Sequence, residues 1–179
     1  SFDENINSDH NEGTPCFTKD FQGMYFTRCF DYSEGDQYCK IMKSNVEDGA
    51  WSEPEVLNFV KSNINYGHPT LIENDSVMVF SAQSFDGATG YDLYYSVYED
   101  NSWTLPEPMP TSINTQGDEK FPSSDGDTLY FSSNYLPGLG GLDVFVGKLS
   151  DDGVSNVQNL GSDINSPKDD FAYLIDTKS

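Results

Sequence analysis

The sequence predicts an all-β chain, and three observations favour that class. Aromatic residues make up 14% of the 179 residues, including 11 Tyr and 12 Phe. They fall in short alternating runs bounded by Gly, Pro, Asn and Asp, which is typical of strands joined by turns. No sustained helical period runs along the chain. We therefore expect strands throughout.

An internal repeat organises these strands. The dipeptide Ile-Asn recurs at intervals of 58, 49 and 51 residues: Ile6-Asn7, Ile64-Asn65, Ile113-Asn114 and Ile164-Asn165. In the first three copies a proline follows, and we expect it to open a short strand: Pro15, Pro69 and Pro122. Ala172 takes the equivalent place in the fourth copy. Such self-similarity is the signature of a repeat architecture.

Each unit then carries three further landmarks. The first is the strongest strand: Met24-Tyr25-Phe26-Thr27, Met78-Val79-Phe80-Ser81 and Leu129-Tyr130-Phe131-Ser132. A Gly-rich turn leads to a third strand, where Asp92 and Asp143 hold matching places and Lys40 stands in the first copy. The fourth segment begins at Trp51 or Trp103, with Val154 in the third copy. These fourth segments also hold prolines, which are tolerated at sheet edges: Pro54, Pro106, Pro108 and Pro110.

Four short strands per unit of about 50 residues match the blade of a β-propeller. We predict a single β-propeller region over residues 1–179, built of four-stranded antiparallel blades, with about three and a half blades in the chain. The repeats run approximately over residues 6–63, 64–112 and 113–163, with a partial blade at 164–179. Because propellers typically close with about 4 to 8 blades, we expect a piece of a larger propeller. An incompletely described chain, or two copies completing one ring, are the alternatives.

Charge restricts the partners. The chain has 30 Asp and Glu against 9 Lys and Arg, a formal net charge of −21. Phosphate backbones and anionic membrane surfaces need clustered Lys or Arg, so we expect no nucleic-acid partner. No apolar run approaches the roughly 18 residues of a membrane helix, so we expect no direct membrane insertion by this segment.

The three cysteines lie early in the chain, at Cys16, Cys29 and Cys39. They lack C-x-x-C spacing and a clustered His partner, which disfavours a zinc site. Cys29 and Cys39 flank a hairpin loop and can pair in an oxidising compartment, which would leave Cys16 free. Ordinary buried thiols are equally compatible with the sequence.

Several phrases together resemble the TolB-like (WD-repeat-like) propeller repeat: Trp-x-x-Pro, Ile-Asn, Asp118-Glu119-Lys120-Phe121-Pro122, Leu129-Tyr130-Phe131-Ser132-Ser133-Asn134 and Gly140-Gly141-Leu142-Asp143. More narrowly, they are similar to the version in outer-membrane-associated proteins of Bacteroidota that often carry an OmpA-like domain, some of them in type IX secretion and gliding machinery. The resemblance spans the chain and is weakest in the first unit, where Lys40 and Cys39 depart from the pattern.

The resemblance implies a place in the cell envelope, either periplasmic or outer-membrane-associated. It also implies that the partner is another envelope protein or membrane-protein complex. Peptidoglycan would be contacted only through a domain outside this chain.

Residues that suggest chemistry have structural explanations in this pattern. Asp92 and Asp143 recur at one repeat position, as turn or cap residues do, whereas a catalytic residue has no reason to repeat. Repeat position also accounts for His10 and His68, and it makes Trp51 and Trp103 packing residues before sugar-stacking ones. No calcium loop or nucleophile elbow is present. We therefore assign no catalytic residue, metal ligand or cofactor.

The sequence favours a non-catalytic scaffold for protein–protein interaction, in which rigid strands position variable loops. The longest loops lie between the second and third strands, and their aromatic or apolar residues are the candidate contacts: Phe30, Tyr32, Phe85, Tyr135 and Leu136. The alternative is a carbohydrate-binding or carbohydrate-active propeller, since some glycosidases on this fold use two or three carboxylates.

Overall fold

Three antiparallel sheets follow one another along the chain, in a computed structural model that describes residues 3–31, 37–84, 90–150 and 153–175. The first sheet holds β1 (Asn11–Phe17), β2 (Gly23–Asp31), β3 (Gln37–Glu47), β4 (Ala50–Trp51) and β5 (Glu55–Val56). The second holds β6 (Ile64–Ile72), β7 (Val77–Ser84), β8 (Asp92–Glu99), β9 (Ser102–Trp103) and β10 (Glu107–Pro108). The third holds β11 (Glu119–Asp125), β12 (Thr128–Ser133), β13 (Asp143–Ser150) and β14 (Gly153–Asn159).

Within each sheet the first three strands pair in sequence order, and the outermost pieces, β4 and β5, β9 and β10, and β14, pair with the third strand. The three units share one register between their two central strands, as shown by the opposed pairs Phe26 with Met42, Phe80 with Tyr94, and Phe131 with Phe145. The described residues contain strands and turns and no helix, so none could cross a membrane as a helix. The prediction of an all-β chain of propeller-like blades is confirmed at this level, and the three sheets are called blades 1, 2 and 3 below.

The outermost strand differs between blades. In blades 1 and 2 it is split into two pieces of two residues, with Pro54 or Pro106 between them. Proline lacks the N–H that a continuous ladder needs. Blade 3 has no proline here, and β14 runs for seven residues.

Apolar side chains fill the seams between successive blades. Tyr25 and Ile41 of blade 1 pack in one cluster with Met78 and Phe80 of blade 2. Val79 and Leu93, on the other face of blade 2, pack in a second cluster with side chains of blade 3, among them Leu129 and Phe131. Strand alternation sends neighbouring residues to opposite faces, so blade 2 contributes to both seams.

A repeated polar contact also crosses each seam. Asn65, Asp118 and Asp169 each accept a hydrogen bond through Oδ1 from a backbone N–H of the preceding blade, at 2.9 Å in all three cases: Cys39, Tyr91 and Leu142. Glycine precedes the donor in the last two. A Cβ at Gly90 would lie 2.6 Å from Asp118 Oδ1, and one at Gly141 would lie 2.2 Å from Asp169 Oδ1, so this approach requires glycine.

These contacts correct one landmark of the repeat. Asn65 occupies the position of Asp118, not that of Asn114, so Ile64-Asn65 is not equivalent to Ile113-Asn114. The equivalent of Ile113 is Phe59, because both are buried and the residue before each bonds the carbonyl oxygen of the matching outer-strand residue, Asn58 with Trp103 O and Ser112 with Val154 O. Phe59-Val60 replaces the Ile-Asn dipeptide at this repeat position, and an Ile-Asn five residues further on produced the apparent match.

The repeated prolines do not open their strands, as the sequence suggested, but lie inside them. β1, β6 and β11 each carry a β-bulge at the proline, between residues 13 and 16, 67 and 70, and 120 and 123. A bulge leaves a residue outside the ladder, which accommodates a residue without an N–H.

Ala172 is likewise not the proline equivalent. Counting from Asp169, it matches the residue before the proline, and Tyr173 takes the proline position. The backbone agrees, because the residue before each proline has positive φ and so does Ala172, with φ 58°.

Candidate functional site

The inner strands of the blades and the segment after blade 3 line an open cavity of about 310 Å³. Its lining follows the repeat, with three consecutive residues from each of four successive chain segments. The residues before the prolines form one layer: Thr14, His68, Phe121 and Ala172. The proline positions form the next: Pro15, Pro69, Pro122 and Tyr173. The residues after them form the third: Cys16, Thr70, Ser123 and Leu174. We call this space the inner cavity.

Every residue of the first layer has a left-handed backbone. The φ angles are 48° at Thr14, 54° at His68, 54° at Phe121 and 58° at Ala172. Such angles are rare for residues other than glycine, especially for branched or bulky ones. Strained backbone of this kind concentrates at ligand and switch sites, where the surrounding structure holds it in place. The inner cavity is therefore the leading candidate site.

His68 is the one titratable nitrogen group of the lining. Its Nδ1 lies 2.6 Å from Ser81 Oγ, and its ring packs at a tilt of 43° against that of Phe121, with 4.0 Å between centroids. Burial, with a smaller contribution from the nearby positive charge of Lys120, lowers the pKa of His68 from 6.5 to about 4. His68 is consequently neutral at physiological pH.

Cys16 contributes a thiol to the third layer, beside the hydroxyl positions Thr70 and Ser123. Burial raises the pKa of Cys16 from 9.0 to about 12. A thiol with so high a pKa is a poor nucleophile and a poor metal ligand, since both roles use the thiolate. No group of three or more His, Cys, Asp and Glu side chains suited to a metal occurs in the described ranges.

The hydroxyls behind the first layer differ between blades. Thr27 Oγ1 bonds Thr14 Oγ1 at 2.8 Å, and Ser81 bonds His68. In blade 3 the facing residue is Phe121, which offers no polar atom. Ser132 Oγ is accordingly buried and has no hydrogen-bond partner among the described residues.

The loop residues predicted as contacts have unequal surroundings. Tyr135 is 57% exposed, whereas Leu136 is partly buried and packs on the seam between blades 2 and 3. Phe30 is also partly buried, with its ring 4.7 Å from that of His10 and the Lys40 ammonium over its face. Tyr32 and Phe85 lie outside the described residues. Leu139, which the sequence analysis did not single out, is 51% exposed on the same loop as Tyr135.

The repeat-position residues hold local structure together. Asp143 is buried, and its Oδ2 accepts the N–H groups of Leu139 and Gly140, both at 2.9 Å. Asp92 begins β8 as Asp143 begins β13. Trp103 is 4% exposed and packs edge-on against Tyr25, whereas Trp51 is only partly buried and lies 6.1 Å from Phe17 between ring centroids.

A disulfide joins Cys29 to Cys39, directly opposite each other on β2 and β3. Of the two alternatives that the sequence left open, the structure has the bonded one. Cys16 is free.

The inner cavity was missed at the sequence level. Its lining residues were treated as separate positions in separate repeats, and their convergence depends on the packing of four chain segments. The sequence carried one signal of the cavity, the three residues around each proline. When every repeat unit places the same strand around one axis, the residues next to each proline also meet at that axis.

Comparisons with known proteins agree with the fold and add nothing on activity. No family model matches the chain, and no curated protein is detectably similar to it. Among solved structures, it is similar to a puromycin-hydrolyzing peptidase of Mycobacterium tuberculosis, with 11% sequence identity and a TM-score of 0.57. The match covers 86% of this chain and 24% of that one, so the chain spans about a quarter of the peptidase. At this identity the likeness is one of fold.

Proposed function

We propose that this chain is a non-catalytic binding scaffold, a piece of about three and a half blades from a larger β-propeller, and that it presents its loops to a protein partner in the cell envelope. One observation carries the proposal. Tyr135 and Leu139 are exposed by 57% and 51% on a single loop whose backbone is held by buried groups.

The loop is fixed at both ends. Ser133 Oγ accepts from the N–H groups of Tyr135 and Leu136, at 3.2 and 3.3 Å. Asp143 accepts from Leu139 and Gly140 at the other end. A preorganised loop loses little conformational entropy on binding, and exposed aromatic residues are frequent energetic hot spots of interfaces.

Charge and redox state support the proposed partner and location. The net charge of −21 favours association with a basic partner surface, because complementary charge accelerates encounter. The Cys29–Cys39 disulfide suits an oxidising compartment such as the periplasm or the outer surface.

Site-specific crosslinking tests the proposal. A photoreactive amino acid at Tyr135 should capture one envelope protein in stoichiometric yield, and the double variant Tyr135→Ala, Leu139→Ala should reduce capture from a second photoreactive position at Pro137, which is exposed on the same loop. The matched control is Leu105→Ala, because Leu105 is 75% exposed but lies near the outer edge of blade 2.

Two results would overturn the proposal. One is equal capture by the double variant and the control. The other is turnover of any member of a glycan panel that a single Asp or Glu substitution abolishes, which would favour the carbohydrate-active alternative.

A further inference from the structure

The inner cavity is predominantly apolar, with one unusual polar atom. Three prolines, Phe121 and Leu174 supply apolar surface. The second ring nitrogen of His68, Nε2, has no hydrogen-bond partner among the described residues, whereas Nδ1 is engaged by Ser81. Nε2 is not one of the buried side-chain atoms that lack a partner, so it reaches the open space of the cavity, where a ligand can bond to it.

The hydrogen-bond chain behind His68 determines what Nε2 can do. Ser81 has a single hydroxyl proton, and its Oγ lies 3.1 Å from the carbonyl oxygen of Gly67, an acceptor at the edge of the bulge. When Ser81 donates to Gly67, His68 must donate from Nδ1 to Ser81. A neutral imidazole then carries no proton on Nε2, which is left as an acceptor.

Charge around the cavity disfavours an ionic ligand. No Asp or Glu is among the lining residues, so a guanidinium or ammonium group would have no counter-ion there. Lys120 stands near His68 and raises the cost of a cation further, but it is held by Asp118 at 3.3 Å and by the face of the Tyr91 ring at 4.3 Å, so it is not free for an anion. These surroundings favour an uncharged ligand.

The size of the cavity and the aromatic rings beside it further restrict the class of ligand. About 310 Å³ is at the lower end of ligand pockets, which suits one large side chain better than an extended peptide or an oligosaccharide. The rings of His68, Phe121 and Phe171 follow one another at 4.0 and 4.8 Å between centroids, which offers an aromatic ligand a ring to pack against.

We propose that the inner cavity binds an aromatic side chain that carries one hydrogen-bond donor, a tryptophan or tyrosine presented by the protein partner. Its N–H or O–H donates to Nε2 of His68, and its ring packs against Phe121 and the prolines. That the bound residue belongs to a protein partner rests on the proposed function. The preference of the cavity for an aromatic ring with a hydrogen-bond donor does not.

The tautomer provides a test that needs no ligand. Long-range ¹H–¹⁵N correlation spectra of the wild-type protein at pH 7 should show a protonated Nδ1 and an unprotonated Nε2 for His68. A protonated Nε2 would overturn the proposal, because the cavity would then offer a donor.

Small amides test the selectivity. We expect N-acetyl-tryptophanamide and N-acetyl-tyrosinamide to shift the resonances of the cavity residues and to bind about fivefold more tightly than N-acetyl-phenylalaninamide, which lacks the ring donor. Equal binding of the phenylalanine amide, or tighter binding of N-acetyl-argininamide, would contradict the inference, as would no binding by any aromatic amide.

A substitution assigns the preference to His68. His68→Phe should bring the three aromatic amides to within twofold of one another, and His10→Phe, outside the cavity, should leave the fivefold preference intact. Phenylalanine is compatible with the backbone, since Phe121 has it at the same repeat position with the same φ of 54°. A preference that survives His68→Phe would overturn the assignment.

The crosslinking at Tyr135 separates this inference from the proposed function. Full capture of a partner together with failure of the amide series would refute the aromatic-side-chain inference and leave the scaffold function standing. Selective amide binding with no captured partner would refute the scaffold function and leave the selectivity of the cavity standing.

Discussion

Blades 2 and 3 have the same backbone at their inner bulges but different chemistry. Both have a residue with φ of 54° before a proline, and both place a serine behind it. In blade 2 the pair is His68 and Ser81, which are hydrogen-bonded; in blade 3 it is Phe121 and Ser132, and the serine hydroxyl has no partner. The repeat therefore determines the position, and the individual side chain determines whether the position can recognise a polar ligand.

Blades 2 and 3 also differ two residues before His68 and Phe121. Glu119 is fully buried in blade 3 and accepts hydrogen bonds from Thr115 N, Thr115 Oγ1 and Ser133 Oγ. The equivalent residue in blade 2 is Tyr66, whose hydroxyl accepts from Lys61 N at 3.3 Å. A buried carboxylate with three donors holds its connecting segment more firmly than a phenol with one.

The largest expected effect tests that difference. Glu119→Ala should lower the free energy of unfolding by about 4 kcal/mol, because it removes the acceptor of the buried Ser133 hydroxyl and of the partly buried N–H and hydroxyl of Thr115. Tyr66→Phe should cost about 1 kcal/mol. Urea denaturation monitored by tryptophan fluorescence measures both, with the exposed Glu53→Ala as control. Comparable losses at positions 119 and 66 would remove the distinction between the blades.

Acidification should weaken blade 2 through His68. Between pH 6.5 and about 4 the unfolded chain binds a proton at this histidine and the folded chain does not, so stability falls as pH falls through that window. The contribution is about 3 kcal/mol at most by pH 4. The loss of stability between pH 7 and pH 4 should therefore be smaller in His68→Phe than in wild type, as measured by urea denaturation at each pH. Parallel profiles would contradict a buried neutral His68.

Blade 1 extends the comparison, because its two central strands are joined by a disulfide. Cys29 and Cys39 hold the positions that Gln83 and Tyr91 hold in blade 2. Replacing Cys29 and Cys39 by Ser should cost about 2.5 kcal/mol by loop-closure entropy. Reductant should destabilise wild type and the Cys16→Ser control equally and leave the double variant unchanged. Three titratable thiols in the unreduced, denatured protein would exclude the disulfide.

The smallest effect isolates the serine behind the bulge. Ser81→Ala should cost about 1.5 kcal/mol, because it removes hydrogen bonds to His68 and Gly67. Ser132→Ala should change stability by less than about 0.5 kcal/mol, because its hydroxyl has no bond to lose. Thermal or urea unfolding of the two variants makes the comparison, and a costly Ser132→Ala would reveal a partner for that hydroxyl.

The sequence predicted the strands whose signal is local. β2 and β12 contain the Tyr-Phe runs and β7 the matching Val-Phe run, and the turn after β3 has Asp48 and Gly49 at positive φ, as an Asp-Gly turn requires. The corresponding turn of blade 2 has Asp100 and Asn101 at positive φ, and Asn also tolerates that backbone.

Features set by packing between units were not predictable from one sequence. Leu136 looks like an exposed loop residue until blades 2 and 3 are brought together around it. The inner cavity exists only where four segments converge, and no periodicity within a single repeat reports that convergence. The misplaced Ile64-Asn65 has a similar origin, because only the bond from Cys39 N to Asn65 shows which residue matches which.

The acceptor-and-donor arrangement at the seams has a consequence for how such chains grow. Blade 2 carries an acceptor toward blade 1, at Asn65, and a donor toward blade 3, at Tyr91 N–H. A tandem duplication of one such unit delivers both halves of the new junction at once, with no compensating substitution elsewhere. Lengthening the array by whole units is therefore far easier in evolution than inserting part of a unit. A partial unit would leave an acceptor without its N–H donor.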